Sequence, residues 1–165
     1  MNMTDLLIDR METARTWTCN LLEGIDVSRW FEQPAPDVQH IAWQVGHLAA
    51  SEVSLIHGRC CGKSPEAHLP ATFTAQFGRG STPTSDAAAY PPIAEIRRVF
   101  DGVHAEAVAL IQTIPEEELD VLTTGGPHPM FATKGQCIAM AAMHESFHAG
   151  QIALTRRVFG MAPLR

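Results

Sequence analysis

At 165 residues the chain has the length of one domain, 1–165, with enough residues to bury a core. Hydrophobic residues make up 45% and charged residues 18%, a globular balance that excludes a disordered or fibrous chain. The formal charge is -6 and the twelve Lys and Arg residues are scattered, the densest groups being the pairs Arg97-Arg98 and Arg156-Arg157. Nucleic-acid surfaces need a basic stripe, so no nucleic-acid partner is expected. The amino-terminal stretch turns polar by Asp9 and no apolar run is long enough to span a bilayer, so neither a signal peptide nor a membrane is expected. Cys19, Cys60, Cys61 and Cys137 include no CxxC pair and read as free thiols of a cytoplasmic protein.

The first predicted helix runs from Thr4 to Leu22, with Leu7, Met11, Ala14, Thr18 and Leu21 at helical spacing. Gly24 breaks it, and Ile25 to Pro36 forms a connector anchored by Trp30 and Phe31. A proline followed by an acid suits an opening turn, so the second helix is placed from Pro36-Asp37 to Ile56, stopped by Gly58. The segment from Gly58 to Pro92 is long, rich in Gly and Pro, and reads as a lid or crossover. Phe73, Phe77 and Tyr90 are its expected anchors, and a short helical turn within it is admissible. The third helix is placed from Pro92 to Ile114 on the stripe Ile93, Ile96, Phe100, Val103, Ala107, Leu110, with Pro115 ending it. After a connector containing Pro127-His128-Pro129, Thr133 and Gln136 make a capping box for a fourth helix, Lys134 to Phe159. These elements predict an all-α fold, a four-helix bundle with a long crossover connection between the second and third helices.

The sharpest local feature is His144-Glu145-Ser146-Phe147-His148 in the fourth helix. Residues four apart share a helix face, so both imidazoles can reach one ion. The pattern also satisfies H-E-x-x-H, but the zincin families that carry it take their third ligand from downstream. The stretch after His148 holds no His, Asp, Glu or Cys, so that reading fails. A third ligand must come from upstream, and His47 is the best candidate, in the apolar setting Val45-Gly46-His47-Leu48-Ala49, where Gly46 lets a neighbour approach. The residues alone leave two readings open: a metal site of His47, His144 and His148, or three core histidines satisfied by backbone and water. Glu145 is either a base at the edge of the site or a surface carboxylate paired with an arginine. His40 and Cys137, each seven residues before a candidate ligand, are expected in the core or at the rim. Trp43 is expected in the core, and His57, His68, His104 and His128 receive no catalytic role.

Two segments, Ile41-Ala42-Trp43-Gln44-Val45-Gly46-His47-Leu48 and His144-Glu145-Ser146-Phe147-His148-Ala149-Gly150-Gln151-Ile152, together with Tyr90-Pro91-Pro92 between them, resemble the DinB-like (YfiT-like) superfamily of metal-binding four-helix bundles. The resemblance covers essentially the whole chain and implies a three-histidine divalent-metal site on His47, His144 and His148. Characterised relatives include S-transferases and an isomerase that use low-molecular-weight thiols, while others are described as metal-dependent hydrolases. The family often dimerises, so a homodimer is expected.

Three neutral imidazoles preserve the ion's charge and leave positions open for a small-molecule substrate. Zinc or nickel is expected first, and iron, cobalt or manganese also bind imidazole. The leading expectation is a metal-dependent enzyme that activates a low-molecular-weight thiol for transfer to a small electrophilic substrate. The alternatives are a hydrolase that activates water with Glu145 as catalytic base, and a non-catalytic metal-binding stress-response protein.

Overall fold

The computed structural model describes residues 2–126 and 128–164, so of the expected Pro127-His128-Pro129 connector Pro127 lies outside the described residues, as do Met1 and Arg165. Helix α1 spans Met3–Leu22 and opens on a capping box: the Asn2 side chain accepts from the Asp5 backbone N–H, and the Asp5 carboxylate accepts from that of Asn2. Leu7, Met11, Ala14, Thr18 and Leu21 are all buried, as their spacing predicts.

The second helix departs most from expectation. Asp37 adopts a left-handed φ of 61°, which keeps the Pro36-Asp37 turn out of the helix. Helix α2 instead spans Ile41–Glu52, capped by His40, whose Nδ1 accepts from the Trp43 N–H at 3.0 Å. It is seated by the Ala42 N–H, which donates to the Trp30 carbonyl at 2.9 Å. Beyond Glu52 the backbone continues as a π-helical segment, Val53–Cys60, straight through Gly58, the expected stop. The carbonyls at its end find donors in a distant loop: Thr124 Oγ1 donates to the Gly58 carbonyl at 2.9 Å, and the Thr124 N–H to that of Arg59 at 3.0 Å.

The crossover carries a short helix, α3, at Phe73–Phe77, between 3₁₀ turns at Pro65–His68 and Ala87–Ala89. Phe73 and Phe77 are fully buried against α2, as anchors should be. Helix α4 spans Ile93–Ile111, ending a turn earlier than expected because a residue before proline is forced out of helical backbone, and Ile114 precedes Pro115. Helix α5 spans Lys134–Val158, opened by the Thr133–Gln136 capping box and closed at Gly160 with φ 82°.

The long helices α1 and α5 pack together, as do α2 and α4, and α5 also borders α2. The architecture is an all-α bundle of four long helices with the small α3 added, five α-helices among the described residues, which corrects the expected four. No helix among them is long and apolar enough to cross a membrane.

The core divides into two apolar clusters. One gathers Trp30, Ile41, Phe73, Phe77, Phe100 and Ile152, the other Leu7, Met11, Ile56, Ile111 and Ile138. Along α1, α2, α4 and α5 the changeover falls at Arg15, Glu52, His104 and Glu145, four buried polar residues that meet in one layer. Charges in such a place are tolerated only when paired. Arg15 donates to Glu145 at 2.8 and 3.2 Å, to Glu52 at 2.9 Å and to the Phe100 carbonyl at 2.8 Å. His104 Nδ1 lies 2.8 Å from Glu52 Oε1.

Candidate metal centre

Helices α2 and α5 run side by side, and this brings His47 of the first against His144 and His148 of the second. Ring centroids are 4.8 Å apart for His144–His148, 5.0 Å for His47–His148 and 5.3 Å for His47–His144. One ring nitrogen from each lies within 4.8 Å of the other two. A tetrahedral ion with bonds of about 2.0–2.1 Å needs those nitrogens roughly 3.4 Å apart, so modest side-chain rotations would close the set. His47 and His144 are half-buried and His148 is buried, which leaves one side of the cluster open to solvent.

Hydrogen bonds orient two of the rings. His47 Nδ1 lies 2.7 Å from the Phe77 carbonyl, which only accepts, so Nδ1 carries the proton and Nε2 presents a lone pair. The Ser51 hydroxyl, one turn along α2, stands 3.3 Å from that Nε2. His148 Nδ1 faces Gln44 Oε1 at 3.4 Å, and the Gln44 amide nitrogen donates to the Gln39 carbonyl, fixing which way the amide points. His148 therefore also donates from Nδ1 and keeps Nε2 for a ligand. Trp43 stacks on His47 at 4.5 Å with an interplanar angle of 9°, while its indole N–H donates to Ser81. The crossover thus shapes the cluster twice, through Phe77 and Ser81. Gly46 makes the first contact possible, since a Cβ there would clash with the Phe77 ring.

Burial is the first cause that keeps these imidazoles neutral. It holds His47 below the ordinary histidine range, against the opposing bond to Phe77. His144 is pushed down to about 4 by burial and then by His47. His148 falls to about 3 through burial, then His144 and His47, opposed by the Gln151 side chain. Three neutral imidazoles with ring nitrogens this close together form a donor set suited to a divalent transition metal.

Glu145 follows a different course from its motif neighbours. Its carboxylate points toward α1, with both oxygens accepting from Arg15, so it is neither a surface carboxylate nor a free base. Burial raises its pKa and Arg15 opposes the rise. A void of about 10 Å³, the size of one water, is bordered by both Glu145 and His144. His40 is a fully buried helix cap, and Cys137 is a core thiol whose Sγ lies 3.5 Å from the Leu55 carbonyl. His104 belongs to the Arg15 layer and His128 to the loop before α5. A cleft of about 760 Å³ between α1 and α5 includes none of the three clustered histidines.

The profile of the DinB superfamily matches residues 10–152, which include all three histidines and Glu145. The chain belongs to the DinB superfamily. In this DinB protein the matched span takes in the four long helices apart from the ends of α1 and α5. A solved structure described as a conserved protein from Enterococcus faecalis is similar in fold, with a TM-score of 0.66 and 22% identity. The similarity covers 96% of this chain and 97% of that one. No curated protein matches the chain.

Sequence reasoning missed the Phe77 carbonyl, Gln44 and Ser51. Gln44 and Ser51 stand three residues before and four after His47, spacings that share a helix face, so both carried a signal. A backbone carbonyl from a distant loop carries none.

Proposed function

We propose that this DinB protein is a metal-dependent enzyme of the YfiT-like kind that uses a low-molecular-weight thiol to attack a small electrophilic substrate. The observation that carries the reading is the convergence of His47, His144 and His148 with neutral rings and one side facing solvent. A protein-only, closed donor set would suit a structural ion, whereas an open side suits catalysis. Zinc or nickel would fit the three imidazoles best, with iron, cobalt and manganese as further candidates. When bound, the ion would supply Lewis acidity that holds a thiol as its thiolate near neutral pH, or lowers the pKa of water.

The chain's own residues do the rest. His47 and His148 are held through Nδ1 by Phe77 and Gln44, which leaves Nε2 of each as the ligand atom, and Trp43 stacks on the His47 plane. Such support lets a site hold its geometry while substrate enters. Glu145 acts as a positioning residue: its bond to Arg15 ties the middle of α5 to α1. The hydrolytic reading, with Glu145 as base, has less support because Arg15 occupies both of its oxygens. We place the protein in the cytoplasm and read it as a homodimer.

The test is a metal-reconstituted assay with a panel of electrophiles, each run with glutathione, bacillithiol, mycothiol and no thiol. Thiol-dependent product that disappears in His47→Ala, together with loss of bound metal, is expected. Metal-dependent product without any thiol would replace the transferase reading with the hydrolase. A His47→Ala variant that keeps stoichiometric metal would remove His47 from the ligand set.

A further inference from the structure

A second set of donors lies at the other end of the α2 rod. His57 projects from the π-helical segment, His68 ends the 3₁₀ turn Pro65–His68 of the crossover, and Glu106 stands on α4. One donor atom from each lies within 4.8 Å of the other two. The two imidazoles are closely apposed, with ring centroids 3.9 Å apart and an interplanar angle of 37°. His68 Nδ1 stands 3.4 Å from a Glu106 carboxylate oxygen.

His57 itself points to a ligand. It is 2% exposed, and neither of its ring nitrogens has a hydrogen-bond partner among the described residues. A neutral imidazole carries one N–H and one lone pair, and burying either unmet costs its full desolvation. An ion at this point takes up the lone pair. The backbone adds a second sign, because π-helical turns inside α-helices cluster at functional sites.

We propose that His57, His68 and Glu106 form a second divalent-metal site, separate from the three-histidine cluster, for a transition ion of the zinc class. Two imidazoles and one carboxylate are a familiar donor set for zinc, which leaves a fourth position. Two of the three ligands, His68 and Glu106, border a cleft of about 270 Å³ together with Arg98 and Gly102. The three ligands come from the π-helical segment, the crossover and α4, so an ion here pins the start of the crossover to two helical elements. The same crossover continues into α3, whose Phe77 carbonyl orients His47, so filling this site also stiffens the support of the first one.

The experiment is titration of the metal-free full-length protein with zinc chloride, read by calorimetry and elemental analysis. His68→Ala and Glu106→Gln alter partly or largely exposed side chains and avoid the buried His57, so the fold is kept; circular dichroism checks this. Two zinc ions per chain are expected, with one lost in His68→Ala and in Glu106→Gln and the other lost in His144→Ala. One zinc that disappears in His68→Ala but survives in His144→Ala would support this site while removing the three-histidine one. Unchanged stoichiometry in both His68→Ala and Glu106→Gln, or a single zinc abolished by His144→Ala alone, overturns the proposal. A second readout is proteolysis of the crossover: zinc slows it in the wild type and in His144→Ala, but not in His68→Ala. Equal protection in His68→Ala overturns the pinning role.

Discussion

Gly46 and Phe77 act as a matched pair. The glycine leaves the space that the Phe77 ring fills, and the ring's own backbone carbonyl then holds His47. Gly46→Ala would force a methyl into a ring already enclosed by Phe73 and Tyr90. The expected outcome is a loss of about 1–3 kcal/mol in urea denaturation, the usual cost of overpacking, with weaker zinc binding as the Phe77 carbonyl moves away. Unchanged stability and affinity would mean that the ring yields freely. Glu145 invites a different substitution. Glu145→Gln leaves Arg15 with Glu52 as its carboxylate partner in a buried layer, and breaking a buried pair costs about 3–5 kcal/mol. The amide still accepts one hydrogen bond, so a loss of roughly 2–3 kcal/mol is expected, less than the cost of breaking the pair outright. A variant with wild-type stability but no turnover would restore Glu145 as a base.

The elements that carry the histidines also set how the metal-free protein responds to acid. His40 caps α2 and is pushed down to about 4, chiefly by burial, while α5 holds His144 at about 4 and His148 at about 3. In the unfolded chain each returns to the ordinary value near 6.5. Below pH 6.5 the unfolded state therefore binds more protons than the folded state, and stability falls as pH falls. The slope fades only well above pH 6.5, where the unfolded histidines are deprotonated too. The window is read best between pH 6.5 and 5, above the range where most carboxylates titrate. Glu145, raised by burial, acts in the opposite sense and offsets part of the loss only near the low end. Urea midpoints of metal-free protein at pH 8.5, 6.5 and 5.0 should fall in that order, with the larger drop between the second and the third. A flat profile to pH 5 would mean that these histidines are not held neutral by the fold.

The whole molecule leaves an apolar face uncovered where α1 meets α5. Trp17, Met143 and Leu164 are exposed along the cleft of about 760 Å³, with Arg10 and Arg157 at its edges. Trp17 is 55% exposed, unusual for so large an apolar side chain on a helix that otherwise buries its hydrophobic stripe. A second copy of the same face would cover it in a two-fold dimer. Sedimentation at micromolar concentration should give twice the mass of one chain, and Trp17→Glu should shift it to one. A single-chain mass for the wild type would remove the dimer. The three-histidine cluster does not border this cleft, so the monomeric variant should still bind metal at that cluster.

Much of this protein is written in local patterns that survive without a partner. The stripes of α1, α4 and α5, the Thr133–Gln136 capping box and the i, i+4 pair His144 and His148 follow from helical geometry, so the sequence alone determined them. His47 could be placed on a helix, but its approach to α5 depends on how two helices pack. The tertiary structure decided the remainder. Asp37 takes a left-handed turn and moves the start of α2 to Ile41, and Thr124, far along the chain, supplies donors that let the helix run past Gly58 as a π segment. Glu145 meets Arg15 across 130 residues, and His57 meets His68 and Glu106 only when the crossover folds back. Those meetings satisfy buried charges and orphaned polar atoms, and which groups will be buried together is a property of packing that no local spacing records.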